Sequence, residues 1–547
     1  MMPDGDGVPD SQPREPGSSG GATSPPSGLW RPRANPWLIG VVVAVGAFME
    51  VLDTSIANVA LPYMAGSLGA TNDQSTWVLT SYLVSNAIVL PISGWIAGGI
   101  GRKRFFMICL MIFTVSSVLC GLAPSLSALL LFRVLQGAGG GGLQPMAQAI
   151  LADTFPPAKR GLAFALYGIT AIIAPTIGPT LGGWITDNYS WRWIFFINVP
   201  VGAIALLLVY RLVEDPPWVR RAAGAGVRLD YIGIGLLSLG VGSLQVMLDK
   251  GQEDDWFGSR FILTLAILAG VGLVSLVIWE WFQRDPIIDI HLFKNLNFLG
   301  ANFMMFVLGI LLFSSLVLMP QYLQTLMGYT AESAGLVLSG GGLLLLLEMP
   351  IVGILASRVQ ARYLIAFGWL TLGLGMFYST QRLDLEISFR SAALLRLTQV
   401  FGLGFLFVPV NLSAYVGVPT AKNNSVSGLI NFMRNIGSSI GTSLVTTLVA
   451  RRSQVHQTYL AAYTTAGHPS FQQAHQSLAT RLEVAGLDAS RAASQAYARL
   501  YQAVIGQATT LAYIDVFWVL ATGAGIMFLL SFALRRNEPG AGGEVAA

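Results

Sequence analysis

The sequence has very little charge for its length. Only 11% of its 547 residues are Asp, Glu, Lys or Arg, whereas 53% are hydrophobic. A typical soluble domain carries about 25% charged residues. No soluble fold of this size could stay in solution with so little charge, so the composition excludes an ordinary soluble protein. It also makes a nucleic-acid partner a poor explanation of the net charge of +4.

Cysteine and histidine are also scarce. The two cysteines, Cys109 and Cys120, lie in one apolar segment without a second ligand at metal-binding spacing, so we expect buried apolar roles and no metal site. The four histidines, at positions 291, 456, 468 and 475, all fall in predicted loops. An intramembrane enzyme would need a metal cluster or a nucleophile with its base, and the apolar segments offer neither.

A nucleotide-binding loop is missing as well. Five of the six residues 137–142 are glycine, but this run lies inside an apolar segment and lacks the Lys-Ser/Thr that holds phosphate. Small residues in a membrane helix instead allow close helix packing. The sequence therefore argues against an ATP-driven pump, and we expect no cofactor.

What the chain has in quantity is long apolar blocks. Each is about 20 residues long, the length with which a helix crosses a bilayer, whereas barrel strands alternate over about 10 residues. The blocks predict an all-α integral membrane protein with 14 transmembrane helices, at 37–58, 77–98, 104–123, 128–152, 161–185, 193–213, 230–248, 260–281, 297–319, 334–356, 362–380, 390–416, 425–450 and 511–534.

Basic residues give the orientation. With the N-terminus inside, 19 of the 32 Lys and Arg residues fall in cytoplasmic segments and only five in short outside loops. Both termini are therefore predicted to be cytoplasmic, the outside segment 451–510 to be a periplasmic loop, and the polar ends 1–34 and 537–547 to be cytoplasmic tails, the first of them disordered. No cleavable signal peptide is predicted.

The two ends of the chain repeat each other. Residues 91–97 match 350–356 at an offset of 259, and 133–136 match 396–399 at an offset of 263. Each repeat holds six helices in the same sense, and two extra helices lie between them. The predicted regions are an N-terminal half at 35–213, an insert with its flanking loops at 214–296, and a C-terminal half at 297–536.

Several motifs resemble one transporter family. Leu52–Pro62, Gly94–Arg104, Arg133–Gly137, Gly178–Gly183 and Trp191–Pro200 are similar to signatures of the fourteen-helix drug:proton antiporters of the major facilitator superfamily, in particular the EmrB branch. The resemblance implies the major facilitator fold, with a substrate site near the bilayer midplane between two six-helix halves. One departure is Gly98, where the family usually carries an Asp that could act in gating.

Proton coupling needs an acid inside the membrane, and Asp53 is our first candidate. Glu50 lies one turn earlier, on the same face, and two carboxyl groups this close do not both ionise easily. Asp53 could instead cap or hydrogen-bond a neighbour at the outer end of its helix. Arg133 is expected to act on such an acid, by resemblance, or to pair structurally. The secondary coupling candidates are Glu348, Arg396, Arg434 and Asp515, which could also only pair with one another.

Two glycine-containing motifs complete the candidate set. In the antiporter motif, Pro179 leaves an unpaired carbonyl and Gly178, Gly182 and Gly183 permit close packing, which predicts a hinge that controls leak or a plain packing kink. In the cytoplasmic loop motif, the basic cluster fixes orientation and could also form a latch. The candidate residues of this loop motif are Gly94, Gly101, Arg102 and Arg104.

These observations together predict a function. By resemblance, we expect a proton-coupled multidrug exporter of hydrophobic or amphipathic compounds in the cell inner membrane, driven by the proton gradient. The resemblance also implies a periplasmic membrane-fusion adaptor and an outer-membrane channel as partners. The alternative within the class is a dedicated exporter of one metabolite, siderophore or self-made antibiotic. A non-transporting membrane sensor is disfavoured by the intact acids at 50 and 53.

Overall fold

The computed structural model describes residues 32–217, 219, 230–283, 286–465 and 467–534. Most of the predicted cytoplasmic tails therefore lie outside the described residues. The same holds for several basic residues that entered the orientation argument, namely Arg14, Arg31, Arg220, Arg221, Arg228, Arg284, Arg535 and Arg536.

Every regular element among the described residues is a helix. The N-terminal half contains α1 Pro36–Leu68, α2 Asn72–Ile100, α3 Arg102–Gly121, α4 Leu126–Gly140, α5 Leu143–Thr154, α6 Arg160–Asn188, α7 Trp193–Phe196 and α8 Asn198–Leu212. The insert contains α9 Tyr231–Lys250 and α10 Arg260–Phe282. The C-terminal half contains α11 Leu296–Thr325, α12 Ala331–Leu355, α13 Ala361–Arg382, α14 Phe389–Val400, α15 Leu403–Ala414, α16 Asn423–Ala461, α17 Pro469–Val484 and α18 Ala489–Leu530.

The predicted membrane-spanning blocks correspond to these helices. Within the described residues, 13 helical segments are long and apolar enough to cross a membrane, three of them made of consecutive helices. The remaining predicted block, 425–450, lies in α16, which is more polar than these 13 segments and is not counted among them. Its polarity comes from an interior face of Asn, Ser and Arg side chains that are buried among other helices, as the next subsection describes.

The segment 451–510, predicted to lie outside the membrane, is largely helical. Helix α16 continues to Ala461, α17 occupies Pro469–Val484 and α18 begins at Ala489. Pro469 stands in the first turn of α17, and the Asp488 side chain accepts from the Arg491 backbone N–H to cap α18. A small core of Leu482, Ala492 and Ala496 joins the two helices. Polar, alanine-rich sequence here forms helices that extend past the apolar bundle.

The duplication is visible in the helix crossings. A Cβ added at Gly94 of α2 would lie 2.8 Å from the Asn424 carbonyl oxygen of α16, and one at Gly353 of α12 would lie 3.0 Å from Leu162 Cα of α6. Residues 161 and 424 are 263 apart, the offset of the repeat. The α2/α16 and α6/α12 crossings are therefore two copies of one contact between the halves, at the end of the bundle that carries the α2–α3 loop.

The insert packs against both halves. Helices α9 and α10 cross closely at Gly240 and Gly272, whose added Cβ atoms would lie 2.8 and 2.7 Å from the facing backbone. On α9, Asp249 accepts a hydrogen bond from Thr80 of α2. Gln245 of α9 accepts from the Ser439 hydroxyl of α16 at 3.0 Å. The extra helices therefore cover the seam between α2 and α16.

The α2/α16 crossing gives a stability prediction. Replacing Gly94 with Leu would drive a side chain into the Asn424 backbone, an overpacking that costs about 1–3 kcal/mol. We expect Gly94→Leu to lower the thermal unfolding temperature of the detergent-purified protein. The matched control is Gly98→Leu, because an added Cβ at Gly98 meets nothing within 4 Å. Equal effects of both variants would contradict the close crossing.

Candidate functional site

Asp53 lies in a buried network inside the N-terminal half. Its Oδ2 forms an ion pair with Arg133 Nη1 at 2.6 Å. Its Oδ1 accepts from Gln136 Nε2 at 3.0 Å and from Asn198 Nδ2 at 2.7 Å. Both amides also donate to the Ser117 hydroxyl, at 2.7 and 3.2 Å. Asp53 is only 3% exposed, so it does not cap a helix end in contact with water.

Aromatic rings enclose the guanidinium of this pair. The Arg133 Cζ lies 4.3 Å from the centre of the Tyr82 ring and 5.7 Å from that of Phe195. Its Nε donates to the Val78 carbonyl at 3.1 Å. The charge of Arg133 is thus compensated by a carboxylate, a carbonyl and two ring faces.

Glu50 is held quite differently from Asp53, although the two lie one turn apart. Its carboxyl group accepts hydrogen bonds from neutral groups, the Tyr82 hydroxyl at 3.2 Å, Asn86 Nδ2 at 2.9 Å and the Gln144 amide. The side chain is buried in the middle of α1. These partners are uncharged donors, in contrast to the arginine that pairs with Asp53.

Gln144 joins Glu50 to the other half of the molecule. Its Oε1 accepts from Arg434 of α16 and lies 3.1 Å from the Tyr167 hydroxyl of α6. That hydroxyl lies 2.8 Å from Asn431 Oδ1, again on α16. A buried acid of one half is thereby connected through one amide to a buried cation of the other.

A second set of amides lies on the axis between the halves. Gln148 donates to Asn411, and Asn431 Nδ2 donates to Gln148 Oε1 at 2.5 Å. Gln148 and Asn411 are 263 residues apart and so are equivalents in the two repeats. Equivalent residues can touch only near the axis that relates the repeats, which places this network at the centre of the interface.

The loop motif forms a further link between the halves. Arg102 of α3 pairs with Asp153 of α5, and Asp153 Oδ1 accepts from Asn423 Nδ2 of α16 at 2.8 Å. Asp153 therefore joins the loop motif to the C-terminal half. Gly101 has a φ of 94°, and an added Cβ there would also lie 2.8 Å from the Asp215 carboxylate, so both backbone and space require glycine. Arg104 is exposed.

The secondary candidates are not paired with one another. Arg434 contacts Gln144 and Tyr167, and not Glu348 or Asp515, which were the alternative partners. Glu348 Oε1 accepts from the Gly402 backbone N–H at 3.0 Å, where the chain turns between α14 and α15.

Asp515 lies far along α18, where it meets the end of α16. Its Oδ2 contacts Arg452 Nε at 2.6 Å and His456 Nε2 at 2.7 Å, and its side chain is 31% exposed. Asp515 is therefore not brought together with Glu50 or Arg434.

Arg396 of α14 is buried. Its Nη1 donates to the Ser315 hydroxyl at 3.1 Å and lies 3.5 Å from Gln399 Oε1. Arg396 thus also contacts neutral groups.

The antiporter motif places α6 against α1. Pro179 cannot donate to the Pro175 carbonyl, and the Ser55 hydroxyl of α1 donates to that oxygen at 3.2 Å. Added Cβ atoms would meet Ser55 at Gly178 and Ile56 at Gly182. At Gly183 an added Cβ would meet nothing within 4 Å, so the close packing predicted for Gly183 is wrong.

Sequence reasoning missed the neutral members of the interface. These are Tyr82, Asn86, Gln144, Gln148, Tyr167, Asn411 and Asn431. A signal was present, because Gln144 and Gln148 are amides inside an apolar block at one-turn spacing, hence on one face of the helix. Buried amides in a membrane helix need partners on other helices, as charged residues do.

Two repeated six-helix halves that meet at buried polar groups define a polytopic membrane transporter rather than an enzyme. The sequence profile of the Major Facilitator Superfamily matches residues 43–442 of the chain. The chain belongs to this superfamily and, within it, to the EmrB-type exporters. It is accordingly a multi-pass inner-membrane protein.

Two relatives carry the same printed name, Multidrug export protein EmrB. The one from Haemophilus influenzae is 38% identical, over 91% of this chain and 95% of the relative. The one from Escherichia coli K12 is 36% identical, over 92% and 96%. The Fatty acid resistance protein FarB of Neisseria gonorrhoeae is 38% identical, over 77% and 82%.

A solved structure supports the fold alone. The proton:xylose symporter XylE matches with a TM-score of 0.58 at 15% identity, over 92% of this chain and 96% of XylE. The major facilitator fold implied by the motif resemblance is confirmed.

The Asp53–Arg133 pair gives the next prediction. Removing one partner of a buried ion pair leaves the other charge uncompensated and costs about 3–5 kcal/mol. We expect Asp53→Asn to lower the thermal unfolding temperature clearly, and Asp53→Asn with Arg133→Gln to recover much of the loss. The measurement is thermal unfolding in detergent. A double variant as unstable as the single one would contradict a charge-based effect.

Proposed function

We propose that the chain is a proton-coupled exporter of lipophilic drugs that works by alternating access, and that Glu50 carries the coupling proton. The observation that carries the proposal is the connection of Glu50 through Gln144 to Arg434 across the two halves. Export of drugs is supported by the relatives named as multidrug export proteins, which match nearly the full length of the chain.

The closed end of the bundle faces the cytoplasm in this proposal. The contacts between the halves described above include the glycine crossings and the Asp153–Asn423 link, at the end with the α2–α3 loop. The distribution of basic residues supports placing that loop and both termini inside the cell. In this orientation the structure corresponds to a state that is closed to the cytoplasm.

Protonation of Glu50 is the step that releases this closure. An ionised Glu50 attracts the Arg434 guanidinium through the shared Gln144, whereas a protonated Glu50 does not. A proton taken up from outside therefore weakens the contact between the halves and favours opening toward the cytoplasm. On the cytoplasmic side the proton leaves and a lipophilic molecule binds between the halves. Both events favour the return to the state that is closed to the cytoplasm. Each proton brings about 2.3 kcal/mol per 100 mV of membrane potential.

Asp53 and Arg133 have a supporting part in this scheme. Their pair is enclosed within one half, and Tyr82 contacts both the Arg133 guanidinium and the Glu50 carboxyl group. We assign this pair to positioning of Tyr82, and through it of Glu50. Pro179 removes one backbone hydrogen bond from α6, and Ser55 of α1 binds the freed Pro175 carbonyl, so we assign a hinge role to this place.

The outer helices are assigned to export beyond the membrane. The ends of α16 and α18, with α17, extend past the apolar bundle over residues 451–510. By resemblance, this extension faces a membrane-fusion adaptor that leads to an outer-membrane channel. A dedicated exporter remains the second candidate, favoured by FarB, a relative at 38% identity that is named for fatty acid resistance.

The proposal predicts drug-dependent proton release. Detergent-purified protein should release protons when lipophilic drugs are added, and Glu50→Gln should abolish this release because the exchangeable proton is gone. Asp53→Asn should weaken it. The control is Asp515→Asn, which lies apart from the interface and should release protons like the parent.

Release that persists in Glu50→Gln would remove the coupling role of Glu50. Release with a single metabolite and with no drug of a broad panel would favour the dedicated exporter.

A further inference from the structure

The two seams between the halves are equivalent in the repeat, but they differ in their outer half, away from the α2–α3 loop. In one seam, α6 and α12 touch each other there. An added Cβ at Gly342 would lie 3.1 Å from Thr176 Cγ2, and one at Gly335 would lie 2.6 Å from Thr180 Oγ1. Together with the crossing at the inner end, these contacts join α6 and α12 over most of their shared length.

In the other seam, the equivalent positions contact the insert. Ser439 of α16 lies 263 positions after Thr176, and its hydroxyl donates to Gln245 of α9 at 3.0 Å. On the other side of α9, an added Cβ at Gly242 would lie 3.6 Å from Val84 Cγ1 of α2. Helix α9 therefore lies between α2 and α16 at the level where α6 and α12 meet directly.

A buried ammonium group holds the outer end of α9 to the N-terminal half. Thr76 of α2, 259 positions before Gly335, accepts a hydrogen bond from Lys250 Nζ. Lys250 is 3% exposed, and its Nζ lies 5.6 Å from the centre of the Trp77 ring and 2.6 Å from Glu253 Oε2. Separating a buried charge from its partners is costly, so this attachment is a firm one.

Trp256 attaches the same insert to the C-terminal half. Its indole Nε1 donates to the Thr447 hydroxyl of α16 at 3.1 Å and lies 3.3 Å from Gln252 Oε1. The backbone here is left-handed, with a φ of 58° at Asp255 and 48° at Trp256, which is rare for a bulky residue. The ring lies against Gly251, where an added Cβ would be 2.8 Å from Trp256 Cε3. Such a conformation persists where surrounding contacts require it.

The two attachments of the insert differ in strength. Its contacts with α2 include the buried ammonium group, whereas Gln245 and Trp256 reach α16 through hydrogen bonds between neutral groups. Alternating access requires the outer ends of the halves to approach each other. Because α9 fills the space between α2 and α16, it cannot keep both sets of contacts during that movement. The neutral contacts with α16 separate at the lower cost.

We propose that the insert moves with the N-terminal half as a wedge between α2 and α16, and that the Trp256–Thr447 contact forms only while the outer side is open. Trp256 is a positioning residue that stabilises the state closed to the cytoplasm. The proposal rests on the proposed function, because it specifies how the insert takes part in alternating access. It depends on no particular substrate and on no particular coupling acid.

Spin-label distances in detergent test the direction of the movement. Cysteine labels replace the exposed residues Ser67 of α1, Asp254 of the insert and Gln454 of α16, two at a time, in protein without the native cysteines. The inner side is opened in two independent ways, by acidification and by Gly353→Leu, which overpacks the inner α6/α12 crossing. We expect both to shorten the 67–454 distance and change the 254–454 distance, and to leave the 254–67 distance unchanged.

A conservative variant tests the contact of Trp256 itself. Trp256→Phe keeps an aromatic ring but removes the N–H that Thr447 accepts. Loss of one neutral hydrogen bond predicts a rise of about two- to tenfold in the ratio of short to long 67–454 distances. The matched control is Trp184→Phe, at an exposed indole of α6 that packs on Tyr189, and it should leave the ratio unchanged. If Trp256→Phe does not fold, the three label pairs in protein with Trp256 decide the question.

A change in the 254–67 distance with a constant 254–454 distance would overturn the inference, because the insert would then move with the C-terminal half. Equal ratios in Trp256→Phe and Trp184→Phe would also overturn it, as would a 67–454 distance that stays fixed under both treatments. If Gly353→Leu produces the expected changes and acidification produces none, the wedge is supported and the proposed proton control is contradicted. Drug-dependent proton release with a changing 254–67 distance would do the reverse.

Discussion

A charged side chain inside a bundle of membrane helices must find its compensation inside the bundle, and much of this structure follows from that requirement. Arg133 meets it with Asp53, a backbone carbonyl and two aromatic faces. Arg434 meets it with Gln144 and Tyr167, which belong to the opposite half. The same requirement that stabilises one half thus holds the two halves together, and a change in one charge is felt at their contact.

The contact between the halves combines two kinds of residue. Glycines at the α2/α16 and α6/α12 crossings let backbones approach closely, and amides such as Gln148, Asn411 and Asn431 exchange hydrogen bonds across the axis. Amide hydrogen bonds hold a closed interface together. Because amides are uncharged, water can take the place of their partners when the interface opens. Within this interface, Gln144 joins the buried acid Glu50 of one half to Arg434 of the other.

Much of the fold could be predicted from sequence, because apolar block length and internal repeats act over many residues at once. The side-chain partners of individual charged residues could not be predicted in this way. For Arg434 a pairing with an acid was one alternative, whereas its partners are an amide and a phenol about 270–290 positions away. Asp515 was a secondary candidate for coupling, yet its partners are Arg452 and His456 in the last part of α16. Such pairings depend on how helices pack in three dimensions.

The central claim is that the charge of Glu50 controls closure between the halves. Spin labels on cysteines at the exposed positions 158 and 358 report it directly, because these positions flank the crossing of Gly161 and Gly353. Both native cysteines would be replaced in that protein. We predict a short label distance at high pH that lengthens on acidification, and a long distance at every pH in Glu50→Gln. A short distance in Glu50→Gln, unchanged by pH and equal to that of the parent, would contradict the account.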